Sequence, residues 1–249
     1  MSIESKKNSS TKVIMIISLV LVGVIGYLVG NIIPITDNSK SQPNIITNQI
    51  GSTIPTAKKV AGSVNFAIPD FVKFRGADSA KINLVEFGDY QCPFCERFFI
   101  DSEPQLAKEY IDTGKAKFYF MEVGFLGPDS LTLGQGAWCA DDQGKYYQYH
   151  DIIYSNQGQE GSGWGSIDKV KAIASKIQGL DTQMFNSCLD RKKYEARDMQ
   201  LTQFGQRIGV TGTPTMFIGN SELGYIPITG AQPYSTFKQA IDQYLGFVS

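Results

Sequence analysis

The sequence predicts an α/β fold: a β-α-β unit, a helical insertion and a closing β-β-α unit, behind one N-terminal transmembrane helix. Three observations carry this reading. Ile82-Asn83-Leu84-Val85-Glu86-Phe87 is a continuous β-favouring run that passes directly into a helical pattern. A second β-favouring run, Lys115 to Val123, follows that helix, and strand–helix–strand order implies a parallel pair joined by a right-handed crossover. Val13 to Ile33 is 21 residues without a charge, long enough to cross about 30 Å of hydrocarbon as a helix.

Lys6, Lys7 and Lys12 precede the apolar segment, whereas Asp37 and Lys40 follow it and cancel. The positive-inside rule therefore predicts a cytoplasmic tail at 1–12, an anchor at 13–33 and everything later outside the membrane. A cleaved signal peptide is the rival reading, but its apolar region would span about 7–15 residues before a small-x-small site. No A-x-A and no lipid-attachable Cys follow here, so the uncleaved anchor is favoured. Residues 34–63, rich in Ser, Thr, Asn, Gln and Pro, read as a flexible linker, leaving 64–249 as one domain with an insertion.

Val64 to Phe74 contains short apolar stretches and reads as an edge strand or hairpin. Lys81 to Gly88 suits a strand buried on both faces. From Pro93 to Asp112 the pattern is helical, with Phe99, Leu106 and Tyr110 on one face and Pro104 expected to kink it. The insertion, at about 128–198, begins with a helical stretch from Ser130 to Tyr154. Further helical stretches, Ile167 to Gln178 and Thr182 to Ile208, follow a glycine-rich break at Gly158 to Gly165. Strands at Thr215 to Ile218 and Tyr225 to Thr229 and a helix at Pro233 to Tyr244 close the domain.

Net charge is −1 with no basic run outside the N-terminus, which excludes nucleic acid as a partner class. The four cysteines are an even number, and an extracytoplasmic domain permits disulfides. Cys92-Pro93-Phe94-Cys95 falls where the first run meets the first helix. There the unpaired N–H groups and positive dipole end of the helix favour a thiolate at Cys92. Cys95 lies one turn on, so the two sulfurs can cycle between dithiol and disulfide. Zinc would need ligands from Cys139, Cys188 or His150, none of which has the spacing, and no metal is expected.

Cys139 and Cys188 are 49 residues apart in helical patterns. A structural disulfide, a second redox pair and two unrelated thiols are the open readings, and an oxidising compartment favours the first. His150, the only histidine, reads as a packed helix residue, and hydrolytic triads have no support. Trp138, Tyr146 and Tyr149 read as insertion core. Phe94 and Tyr90 flank the cysteines and read either as apolar peptide-binding surface or as packing.

Val85-Glu86-Phe87 before Cys92-Pro93-Phe94-Cys95, and Val210-Thr211-Gly212-Thr213-Pro214-Thr215 about 120 residues later, resemble the DsbA-like branch of the thioredoxin superfamily. Ala137-Trp138-Cys139-Ala140 with Gln143-Gly144-Lys145 looks like that branch's helical insertion, and the resemblance covers roughly 64–246. It implies a thioredoxin fold and a thiol–disulfide oxidoreductase without a cofactor. Cys92 matches the nucleophile, exposed at the helix start, and Cys95 the more buried resolving cysteine. Pro214 matches a cis-proline, whose preceding Thr213 offers its backbone to an extended substrate. Glu86 matches a buried acid that takes and gives the proton of Cys95; the bland alternative is a solvated or salt-bridged strand residue.

The chemistry implied is introduction of disulfides into unfolded or reduced extracytoplasmic proteins, with reoxidation by a membrane partner of the DsbB or vitamin-K-epoxide-reductase kind. Phe94 stands where many members have His, which removes one stabiliser of the Cys92 thiolate and leaves a reductase or isomerase direction open. A redox-inert peptide-binding or chaperone module is the third reading. The intact Cys92–Cys95 pair argues against it, since a binder has no need of both thiols.

Overall fold

The computed structural model describes residues 59–248. The tail expected at 1–12, the span expected at 13–33 and the linker as far as residue 58 lie outside the described residues. Among the described residues, no helix is long and apolar enough to cross a membrane.

The central strand β2 (Ile82–Gly88) carries the uninterrupted apolar run, and β3 (Ala116–Glu122) pairs parallel with it, Ile82 opposite Ala116. On its other side lies antiparallel β4 (Thr215–Asn220), followed by β5 (Gly224–Thr229); β1 (Phe74–Arg75) pairs with β3. The sheet order is β1-β3-β2-β4-β5. Pro227 sits in β5, where the missing backbone donor is tolerated because that strand is an edge. Of the edge strand or hairpin expected over Val64 to Phe74, only Phe74 falls in an edge strand, β1. Val64 makes a single bridge to Tyr225 at one edge, and the chain reaches the opposite edge before Phe74 pairs with Tyr119. Pro69 interrupts any continuous pairing between the two.

Helix α1 (Pro93–Asp101) ends at Ser102, and α2 (Glu103–Leu106) starts immediately, running on as a π-helical turn over Ala107–Ile111. The expected kink is thus a full break, because Pro104 cannot donate to the carbonyl one turn earlier. Between β3 and β4 lie α3 (Pro128–Asp141), α4 (Tyr146–Tyr154), α5 (Ile167–Ala174), α6 (Thr182–Asp190) and α7 (Glu195–Arg207). The stretch expected from Ser130 to Tyr154 divides at Gly144, whose φ of 67° favours glycine. The stretch from Thr182 to Ile208 divides at Lys192, also in the left-handed region at φ 50°. Asp181 caps α6 by accepting from the N–H groups of Gln183 and Met184. Helix α8 (Tyr234–Val248) buries Phe237, Ile241 and Tyr244 at helical spacing.

The insertion is seated on the sheet by aromatic side chains. β1 has only two residues, so part of β3's outer edge is completed from α4. Tyr146 and Tyr147 donate their hydroxyls to the carbonyls of Phe120 and Phe118 at 3.0 and 2.7 Å. At Gly136 of α3 any Cβ would overlap the Tyr149 hydroxyl, which donates to Leu133 O at 2.8 Å. Cys139 and Cys188 form a disulfide between α3 and α6, their Cα atoms 5.7 Å apart.

Candidate active site

Cys92 is the N-cap of α1, with extended backbone, and Pro93 occupies the first turn, where a missing N–H costs nothing. The N–H groups of Cys95 and Glu96 bond back to the Cys92 carbonyl at 3.0 and 3.2 Å, closing the first turn. Both cysteines are free thiols. A hydrogen bond from the Cys95 thiol holds Cys92 down at about 6 against the opposing cost of burial; the Thr213 side chain and the N–H groups of Cys95 and Phe94 add to it. Burial, the bond to Cys92 and the nearby Glu86 carboxyl push the Cys95 thiol well above its ordinary value. One sulfur is a ready thiolate and the other a reluctant one.

The Thr213–Pro214 peptide bond is cis. Thr213 O lies 3.4 Å from Cys92 Sγ and accepts from the thiol. That approach corrects one expectation: Cys92 is not exposed but only 5% accessible, because the loop before β4 comes down against it. Phe94 is 52% exposed, its ring under the Arg97 guanidinium at 5.0 Å. Tyr90, expected as a possible binding-surface residue, is fully buried against Phe120, Tyr149 and Tyr154. Burying its ring outweighs exposing it, so Tyr90 belongs to the core.

Glu86, opposite Phe120 and Met216 in the sheet, is 1% exposed, and neither carboxylate oxygen has a hydrogen-bond partner. The solvated or salt-bridged alternative is therefore excluded. Burial first, then the charges of Glu103 and Cys92, push its carboxyl well above the usual range. Among the described residues, ligating atoms of Glu86, Glu103 and His150 lie within 4.8 Å of one another. Arg75 already supplies a cation to this group through Glu103 Oε1 at 3.3 Å. Neither cysteine of the disulfide is free to be a zinc ligand.

Sequence reasoning missed the residues that frame the site. Asp89 Oδ1 accepts from Gln91 N–H at 2.9 Å, and Oδ2 from the N–H groups of Phe125 and Leu126 at 3.0 Å each. Gln91 donates to Leu126 O and Ser130 Oγ and accepts from Gly161 N–H. Gln157 donates to the carbonyls of Tyr90 and Cys92 at 2.7 and 3.2 Å. The loop bearing Cys92 is thus pinned to the start of the insertion and to the segment that follows α4. The one signal available was the unusual Asp89-Tyr90-Gln91 polar triplet after a buried strand.

A second buried acid pair lies between α3, α7 and β3. Asp198 accepts from Trp138 Nε1 at 3.0 Å, and burial pushes both Asp198 and Glu122 well above their ordinary range. A Cβ at Gly134 would stand 2.6 Å from Glu122 Cγ, so glycine is what lets α3 cover the pair. Carboxyls with raised folded pKa values favour folding fully below their unfolded values, near pH ~4, and lose that contribution as pH rises. Asp198→Asn removes one such proton and is expected to flatten the fall of stability with pH by up to about 1.4 kcal/mol per pH unit. Urea unfolding at pH 5, 6, 7 and 8 reads this; an unchanged slope would mean that Asp198 is already ionised in the folded protein.

A family model described as Thioredoxin matches residues 70–243. The chain is 31% identical over 206 residues to a probable disulfide bond formation protein D of Bacillus cereus, covering 81% of this chain and 91% of that one. The disulfide bond formation protein D of Bacillus subtilis is 25% identical over 173 residues, covering 68% and 75%. Among solved structures, oxidised BdbD from Bacillus subtilis superposes with a TM-score of 0.66 at 22% identity, covering 76% of this chain and 99% of that one. DsbA from Chlamydia trachomatis does so at 0.63 and 20%, covering 72% and 94%.

Proposed function

The chain belongs to the DsbA-like branch of the thioredoxin family and is a protein disulfide oxidoreductase, and on that premise we propose that it is an oxidase, introducing disulfides into reduced proteins outside the membrane that residues 13–33 anchor it to. The observation that carries the direction is the asymmetry of the two thiols. A thiol held down at about 6 stabilises the reduced form and so makes the disulfide form a better oxidant. The relatives' names, disulfide bond formation protein D, point the same way.

In this reading a substrate thiolate attacks Cys92 Sγ of the Cys92–Cys95 disulfide. The bond between the two breaks, and Cys95 leaves and takes a proton from Glu86. The substrate's second thiolate then attacks its own sulfur in the mixed disulfide and expels Cys92 as a stable thiolate. Thr213 lends its backbone to an extended substrate segment beside Pro214, and exposed Phe94 offers an apolar contact. A membrane oxidase of the DsbB or vitamin-K-epoxide-reductase kind takes the two electrons and restores the disulfide. Cys139–Cys188 is structural and takes no part.

Phe94 in place of His favours the opposite direction, a reductase or isomerase, and one measurement decides between them. The reduction potential of the Cys92–Cys95 pair is expected above thioredoxin's ~−270 mV and short of the ~−120 mV of the strongest oxidants. A value at or below the thioredoxin figure would assign the chain to reduction.

A further inference from the structure

Glu86 can serve Cys95 repeatedly only if it exchanges protons with water, and none of its own oxygens reaches solvent. Its polar neighbours are Glu103 at the start of α2 and His150 in the middle of α4, with one atom of each residue inside the same 4.8 Å. His150 is fully buried; its Nε2 has no hydrogen-bond partner and its Nδ1 lies 2.9 Å from Asp151 Oδ1. Glu103 is paired with Arg75, and Arg75 with Asp151. The Asp151 carboxylate is 47% exposed. Arg75, Glu103 and Asp151 line a surface cavity of about 370 Å³ with Phe99, Ile100 and Pro104. Cys92, Phe94, Thr213 and Pro214 are not among its walls.

We propose that His150 and Glu103 are a proton port, carrying protons between Glu86 and the water of that cavity while a substrate covers Cys92. The proposal rests on the reading of Glu86 as the proton partner of Cys95. The rings of Phe99, Phe118, Phe120, Tyr90, Tyr147 and Tyr154 surround His150, so side chains and not a file of water must conduct. The charged or titratable groups facing it are Glu86 from β2, Glu103 from α2, Arg75 from β1 and Asp151 beside it. Burial pushes the phenols of Tyr90, Tyr147 and Tyr154 up, which keeps them neutral.

The balance is simple. When the Cys92–Cys95 bond breaks, the electron pair goes to Cys95, and Glu86 gives up one proton. His150 or Glu103, each with an atom within 4.8 Å of Glu86, returns a proton to it; the imidazole regains one on the Asp151 side, and the Glu103 carboxyl regains one from the cavity it lines. Resolution in the reverse sense sends the proton outward by the same groups. An imidazole suits this because it can accept at one nitrogen while releasing from the other. His150 and Glu103 act through Glu86 and are positioning residues.

The test uses the full chain in detergent, turning over a reduced peptide dithiol with glutathione disulfide as terminal oxidant between pH 5 and 9. His150→Ala is expected to slow turnover about tenfold above neutrality, less than the ~10²-fold that loss of a direct acid–base group gives. Imidazole added to the buffer should restore it in proportion to concentration and leave the unaltered protein indifferent. Asp151→Asn and Glu103→Gln should shift the pH profile the same way without opening a void, which covers the case in which His150→Ala does not fold. Alkylation of Cys92 should keep its pH midpoint in all three. Turnover equal to the unaltered protein, or a uniform loss that imidazole does not relieve, would overturn the port. Loss of turnover in a chelator would also overturn it, by making the group a metal site. Glu86→Gln separates the two levels: if it turns over normally, the reading of Glu86 fails and the port with it.

Discussion

Cys92→Ser is expected to abolish oxidation of reduced, unfolded protein, a loss on the order of 10³-fold or more, while shifting stability by less than about 1 kcal/mol. The effect on rate follows from geometry. Cys92 is the sulfur to which the helix N-terminus, the Cys95 thiol and Thr213 all direct stabilisation, and no second thiol can replace it. Cys95 has the opposite environment, so Cys95→Ser should not abolish attack on a substrate disulfide. It should stall the protein as a mixed disulfide through Cys92, isolable by non-reducing electrophoresis and mass analysis. A Cys92→Ser protein that still oxidises its substrate would overturn the assignment of the nucleophile. One that binds unfolded chains as before but oxidises none is the expected result, and it separates an enzyme from a chaperone module on the same fold.

The second large effect concerns the other cysteine pair. Removing the bridge with Cys139→Ala and Cys188→Ala is expected to cost about 4 kcal/mol, the chain-entropy value for a loop of this length. The sequence separation is 49 residues, and both sulfurs are buried between α3 and α6. Helix α3 also carries Ser130, which accepts from Gln91 beside Cys92, so the staple holds a helix that frames the active-site loop. Urea unfolding measures the loss, and thiol–disulfide exchange activity per folded molecule should be retained. A drop in activity with unchanged stability would instead make Cys139 and Cys188 a second redox pair.

Much of the site was legible along the chain. A buried β run into Cys-x-x-Cys, an acid six residues before the first cysteine and a Thr-Pro before a later strand stand close to their chemistry in sequence. The place of Pro214, about 120 residues downstream, and the role of Glu86 came from the resemblance to DsbA-like proteins. Glu103, His150 and Gln157 were not legible. Each lies in a helix or loop whose local pattern is ordinary, and His150 reads as core because it is core. Its distinction is the company of Glu86 and Glu103, which come from a strand and from another helix. For Tyr90, two residues before Cys92, the sequence left peptide-binding surface and packing both open, and the packing of α4 decides for the core.

The sequence by itself determined the alternation of strands and helices, the helix start at Cys92 and the choice of thiol–disulfide chemistry. The first two depend on periodicity, on propensity and on residues within a turn or two of one another, and the third on Cys92-Pro93-Phe94-Cys95 together with the resemblance to DsbA-like proteins. Tertiary structure alone decided that Thr213 covers Cys92, which carboxyls are buried and which of them lie beside a surface cavity. Those properties come from desolvation and from distances between groups tens of residues apart in the chain, and neither exists until the insertion closes over the sheet.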